Sequence, residues 1–124
     1  MGWNFQNDRP IYTQLIEQLA LRIVSGIYPP GSRLPSVRDM AAEAAVNPNT
    51  MQRALSALET DGLLYTQRTS GRFVTEDEKK IMQTKINLAE SLIHEFFIRM
   101  EKLGYTHEQA VSLLNQTKRT EEES

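Results

Sequence analysis

Residues Pro29 to Val74 read as one unit of closely spaced helix, turn and strand signals, and this stretch constrains the fold most tightly. Two short helical patterns flank a tight polar turn, Val46-Asn47-Pro48-Asn49. Ser36 opens the first helix: its hydroxyl can cap the first turn, and Asp39 follows three residues on. Val37, Met40, Ala41 and Ala44 form the stripe expected to be buried. The second helix opens with Asn47 as N-cap and Pro48 at the first helical position. Its core face carries Met51, Ala54, Leu55 and Leu58, and the opposite face carries Asn49, Gln52, Arg53, Ser56 and Thr60. Asp61-Gly62 ends it. Leu63-Leu64-Tyr65 and Arg72-Phe73-Val74 then make two strand candidates, joined through Gln67 to Gly71.

That order, helix, turn, helix, hairpin, predicts a winged helix-turn-helix head. Such a head lays its second helix in the DNA major groove and sets its β-wing against the flanking backbone. Upstream, a helix is expected from Pro10 to Ser25, with Ile11, Leu15, Leu19 and Ile23 on one face, broadened by Ile16 and Ala20. Pro10 suits the first helical position, and Gly26 can end the helix. Tyr28 to Ser32 reads as a rigid turn and Arg33-Leu34 as a very short strand.

From Glu76 the character changes. Met82, Ile86, Ala89, Ile93, Phe96, Met100 and Leu103 follow one another at intervals of 4, 3, 4, 3, 4 and 3, a heptad stripe widened by Ile81, Leu88, Leu92 and Phe97. Gly104 should terminate this helix. Thr106 with Gln109 makes a capping box for a last helix bearing Ala110, Val111, Leu113 and Leu114. Lys118 and Arg119 suit its C-terminal end. The stripe carries more apolar surface than one chain of 124 residues can cover, so it predicts a homodimer rather than a helix folded back on its own domain. The expected class is mainly α with a small β-wing. A DNA-binding head spans 1–75, a two-helix dimerisation tail 76–120, and a frayed acidic end 121–124.

Net charge is −2, which by itself argues against a nucleic-acid partner. The charge is uneven, however. Residues 1–74 hold seven arginines and no lysine against six acidic groups, whereas the rest holds seven basic and ten acidic groups. Arginine makes bidentate contacts to phosphate and guanine that lysine cannot. There is no cysteine, so disulfides and thiolate metal sites are excluded. No signal peptide and no membrane-length apolar run is read, and a cytoplasmic location is expected. His94 and His107 fall on different expected helices, and nothing has the spacing of a catalytic triad, phosphate loop or zinc finger. No catalytic residue, metal or cofactor is expected, and the chain reads as a non-enzyme.

Three strings, Gly31 to Arg38, Val46 to Ala54 and Leu58 to Leu64, with the entry Arg9-Pro10-Ile11-Tyr12-Thr13-Gln14-Leu15, resemble the N-terminal domain of GntR-type bacterial transcription regulators. The short two-helix tail ending in Gly104-Tyr105-Thr106 is similar to the YtrA subfamily, whose members lack a large effector domain, dimerise through these helices and often regulate transporter genes. The resemblance implies that Arg38, with Ser36, contacts phosphate or base from the start of the first helix of the motif, with Arg33 nearby. It implies that Asn47, Asn49, Thr50, Gln52 and Arg53 read the operator from the recognition helix. Gly71 matches the wing-tip glycine, flanked by Arg68 and Arg72. Thr69 and Ser70 stand where the family often has a second glycine, and Gln52 stands where several subfamilies have arginine.

The reading is therefore a homodimeric, sequence-specific regulator, a repressor by expectation, on double-stranded DNA with a pseudo-palindromic operator. The competing reading is a winged-helix protein-interaction module without specific DNA binding, motivated by the head's net charge of only +1. A fragment of a larger regulator-enzyme is the third, and the capped, charged tail speaks against it. Phe96, Phe97 and Met100 suggest a small apolar cavity between the tail helices and the head, for a small-molecule effector of drug-like or lipid character.

Overall fold

The computed structural model describes residues 2–123, with side-chain surroundings through residue 118. Its elements are α1 (Ile11–Val24), α2 (Val37–Ala44), α3 (Pro48–Thr60), β1 (Leu64–Gln67), β2 (Gly71–Val74), α4 (Glu78–Lys102) and α5 (His107–Glu123). The chain divides into two compact units, the first ending at Ile86 and the second beginning at Asn87, inside α4.

In the first unit, α3 packs on α1, α2 and β1. Leu15, Leu19 and Ile23 of α1 meet Met40 of α2, Met51, Leu55 and Leu58 of α3 and Val74 of β2 in a fully buried core. Burying each such side chain stabilises the fold by roughly 1.5–3 kcal/mol before chain entropy is counted. The expected stripes hold, apart from Ile16, which is half-buried, and two positions at helix starts. Ile11 is 40% exposed, and Val37 is half-buried.

The local signals act largely as read. Ser36 Oγ accepts from Asp39 N at 3.1 Å, and Asn47 Oδ1 accepts from Asn49 N at 2.7 Å with Pro48 in the first turn. Pro10 differs from expectation: it is the N-cap of α1, with ψ 139°, rather than its first helical residue. Its carbonyl still accepts from Gln14 N at 3.3 Å and closes the first turn. Gly26, at φ +85°, follows the C-cap Ser25.

β1 and β2 pair antiparallel in the register Leu64↔Val74, Tyr65↔Phe73, Thr66↔Arg72 and Gln67↔Gly71. The wing thus extends closer to its tip than the apolar runs alone suggested, because backbone pairing continues through the polar Thr66 and Gln67. Tyr65 and Phe73 stack across the strands at 5.6 Å. Arg33 forms a bridge to Phe73, with Leu34 N donating to Arg72 O at 2.9 Å, so the expected short strand pairs with the wing.

The N-terminal segment lies along α1 through side chains that imitate backbone pairing. Gln14, 2% exposed, accepts from Gln6 N at 2.7 Å and donates to Gln6 O and Arg9 O at 2.8 Å. Gln18 pairs likewise with the backbone of Asn4. Trp3 stacks with Phe5, and the Arg22 guanidinium carbon sits 3.9 Å from the centroid of its ring. Its indole N–H donates to Glu43. Burial raises the Tyr28 hydroxyl pKa above 10.0, opposed by Arg22 and reinforced by Glu43.

α4 begins two residues later than the change at Glu76. Asp77 takes the cap, its Oδ1 accepting from Lys79 N and Lys80 N at 3.1 and 3.3 Å. In the second unit Gly104, at φ +100°, ends the helix: its N–H donates to Glu101 O at 2.9 Å and Tyr105 N to Met100 O at 3.1 Å. That is the Schellman pattern, for which a positive φ favours glycine. Thr106 and Gln109 exchange the two bonds of the expected capping box, at 2.9 and 3.1 Å. Helix α5 runs through Glu123, so Glu121 to Glu123 of the expected frayed end lie within its bounds. Ser124 and the Arg119 side chain lie outside the described residues.

Candidate nucleic-acid interface

The turn between α2 and α3 sets the interface. Ala45, at φ 57°, ends α2 in the left-handed region, and the chain enters α3 within two residues. Because Met51, Ala54, Leu55 and Leu58 are consumed by the core, the other side of α3 must face outward. Asn47, Asn49, Gln52 and Arg53 are exposed there, and Thr50 is half-buried. Gln52 Nε2 donates to Ser56 Oγ at 3.4 Å, and Thr60 Oγ1 donates to Ser56 O at 3.1 Å. The result is a polar helix face with amide and guanidinium donors, the groups that match adenine and guanine edges.

The remaining positions implied by the resemblance fall into two groups. Arg33, Ser36, Gly71 and Arg72 share a half-open cleft of about 260 Å³ with Thr66 and Val37 in its lining. A Cβ at Gly71, whose φ is +109°, would stand 3.0 Å from Arg33 Nε, so this glycine lets the arginine lie across the wing. Ser36 has its oxygen engaged in the helix cap. Arg38 is exposed at the start of α2 and, among the described residues, has no carboxylate partner, although Asp39 and Glu43 are near in sequence. Arg68 is exposed in the wing turn.

Arg72 is placed differently from the others. Its Nη2 reaches Glu59 Oε2 of α3 at 3.5 Å, its side chain is only 16% exposed, and its buried Nε has no hydrogen-bond partner. Tyr12 lies under Arg53, with 4.5 Å from the guanidinium carbon to the ring centroid. Glu59 and Tyr12 are neighbours of the candidate interface that the sequence motifs did not mark. Tyr12 was visible only as part of the Arg9 to Leu15 string.

In α4, which the second unit shares with the first, no residue is buried. Met82, Ile86, Ala89, Ile93 and Leu103 of the heptad stripe are exposed, whereas Phe96 and Met100 are half-buried. Leu92, Ile93, Phe96, Phe97 and Leu114 line an apolar cleft of about 320 Å³; Met100 is not among them. Phe97 packs edge-on to Phe96 at 5.2 Å and stacks on His107 at 4.1 Å. Among the described residues no helix is long and apolar enough to cross a membrane.

Comparison with known proteins places this geometry. Residues 11–74 match the family model for bacterial regulatory proteins of the gntR family. The HTH-type transcriptional regulator YhcF of Bacillus subtilis is 39% identical over 109 residues, covering 88% of this chain and 90% of its own. The HTH-type transcriptional repressor YtrA of the same organism is 35% identical over 106 residues, covering 79% of this chain and 82% of its own. A GntR family transcriptional regulator from Listeria monocytogenes superimposes with a TM-score of 0.80 at 37% identity, over 90% of this chain and 98% of that one. The DNA-binding domain of AraR, solved in complex with operator ORX1, matches 60% of this chain and 99% of its own at a TM-score of 0.54 and 26% identity. With its winged helix-turn-helix head and short helical tail, and with similarity to YtrA over most of both chains, the chain belongs to the gntR family of bacterial regulatory proteins.

Proposed function

We propose that this protein is a homodimeric, sequence-specific DNA-binding transcription regulator that acts as a repressor in the cytoplasm on a pseudo-palindromic operator, with transporter genes among its targets. The observation that carries the reading is the exposed polar face of α3, where Asn47, Asn49, Gln52 and Arg53 project from a helix whose other side is buried in the core. The AraR domain, of the same fold, binds an operator. YtrA, similar over most of its length, is a repressor. In this reading Arg33, Arg38 and Arg68 contact phosphates around the base-reading face, and Gly71 lets the wing approach the backbone.

The dimer rests on the open stripe of α4, where Met82 and Ile93 are each 55% exposed and Leu103 73%. A two-fold pair of heads sets two recognition helices one turn of duplex apart, about 34 Å. Selection of bound sequences from a random duplex library tests the reading. It predicts one two-fold-symmetric site whose affinity falls steeply with salt. Failure to enrich any site, with no duplex bound at low salt, would instead favour a protein-interaction module.

A further inference from the structure

The arginines of the first unit are held in different ways. Arg9 donates to Glu17 at 2.8 Å, Arg72 reaches Glu59 at 3.5 Å, and Arg22 is 4% exposed beneath Trp3. Arg53 is both exposed and held. Its guanidinium carbon stands 4.5 Å from the centroid of the Tyr12 ring, in the first turn of α1, and among the described residues it has no carboxylate partner.

We propose that Tyr12 is a positioning residue for base reading: its ring holds the Arg53 guanidinium at the edge of α3 while leaving that group's N–H donors unspent for a guanine edge. The inference rests on α3 being the recognition helix. A cation over an aromatic face is attracted by the ring quadrupole, an interaction that consumes no donor. A carboxylate partner would take donors from the fork, as Glu59 does from Arg72. Guanine N7 and O6 need two of those donors in one plane. A long side chain already confined by a ring loses less rotamer freedom when it meets a base. The platform is itself anchored, because Tyr12 is half-buried on a helix whose Leu15 and Leu19 lie in the core.

The test uses the full chain and its selected operator. Arg53→Ala first identifies the base pair at which preference is lost. Affinity is then measured for the operator and for a duplex changed at that pair in both half-sites. Tyr12→Leu should reduce discrimination there by about 2- to 5-fold, the range of an exposed cation–π contact, while Tyr12→Phe retains it. In the Arg53→Ala background Tyr12→Leu should change nothing further. Tyr12→Met serves as a second aliphatic variant, and thermal midpoints confirm that each protein is folded.

Equal weakening on both duplexes, or a loss with Tyr12→Phe as large as with Tyr12→Leu, overturns the positioning role and leaves Arg53 as a base reader. Unchanged preference at every position in Arg53→Ala overturns the base-reading role beneath it, and this inference falls with it.

Discussion

Arg72 Nη2 and Glu59 Oε2 stand 3.5 Å apart, which ties β2 of the wing to α3. The pair is partly sheltered, with side chains 16% and 32% exposed, so it fixes the wing while contributing only about 1 kcal/mol. Glu59→Gln removes a negative charge beside the interface and releases the arginine. Binding to operator and to random duplex should both tighten roughly two- to threefold, with a steeper salt dependence. Affinities across a salt series check this; an unchanged slope would mean that Arg72 stays committed to the fold.

Asn47 caps α3 through its Oδ1 at 2.7 Å from Asn49 N, and its side chain is exposed on the proposed interface. Asn47→Asp keeps the cap acceptor and adds a charge that suits the helix N-terminus. Stability should therefore hold, within roughly 0.5 kcal/mol, while operator affinity falls at least about tenfold, ~1.4 kcal/mol. Urea unfolding beside a binding titration separates the two roles.

Gln14 satisfies backbone groups of Gln6 and Arg9 from a position only 2% exposed. Gln14→Ala leaves them unpaired, at a cost of about 1–3 kcal/mol. The N-terminal segment should loosen, and Trp3, the single tryptophan of the chain, should report it as a shifted emission. An unshifted spectrum would show that Trp3, Arg22 and Glu43 hold the segment without Gln14.

What the sequence made legible is largely local. Ser36, Asn47-Pro48, Gly104 and Thr106 with Gln109 each act through partners a few residues away, so their roles could be read from spacing. Arg72 with Glu59 and Arg53 with Tyr12 meet only because α3 packs against β1 and α1, and no periodicity encodes those meetings. Gln14 was hidden for another reason: a buried polar residue beside Leu15 breaks the apolar pattern that marks a core. The compositional change at Glu76 precedes the start of α4 by two residues because the side chain that caps the helix is Asp77.

Ile93 is 55% exposed within the stripe of α4. Ile93→Glu should leave the helix intact by circular dichroism and weaken self-association at least about tenfold. Sedimentation equilibrium measures it, and operator affinity should fall in parallel. Undiminished self-association would place the dimer contact elsewhere.

In the proposed function, two copies of α3 read a two-fold site. Repeating the library selection with Arg53→Ala tests it most directly. Base preference should disappear at one position in each half-site, symmetrically, worth about 1–3 kcal/mol per site, while the remaining motif and the half-site spacing persist. An unchanged motif, or a loss confined to one half-site, would contradict it.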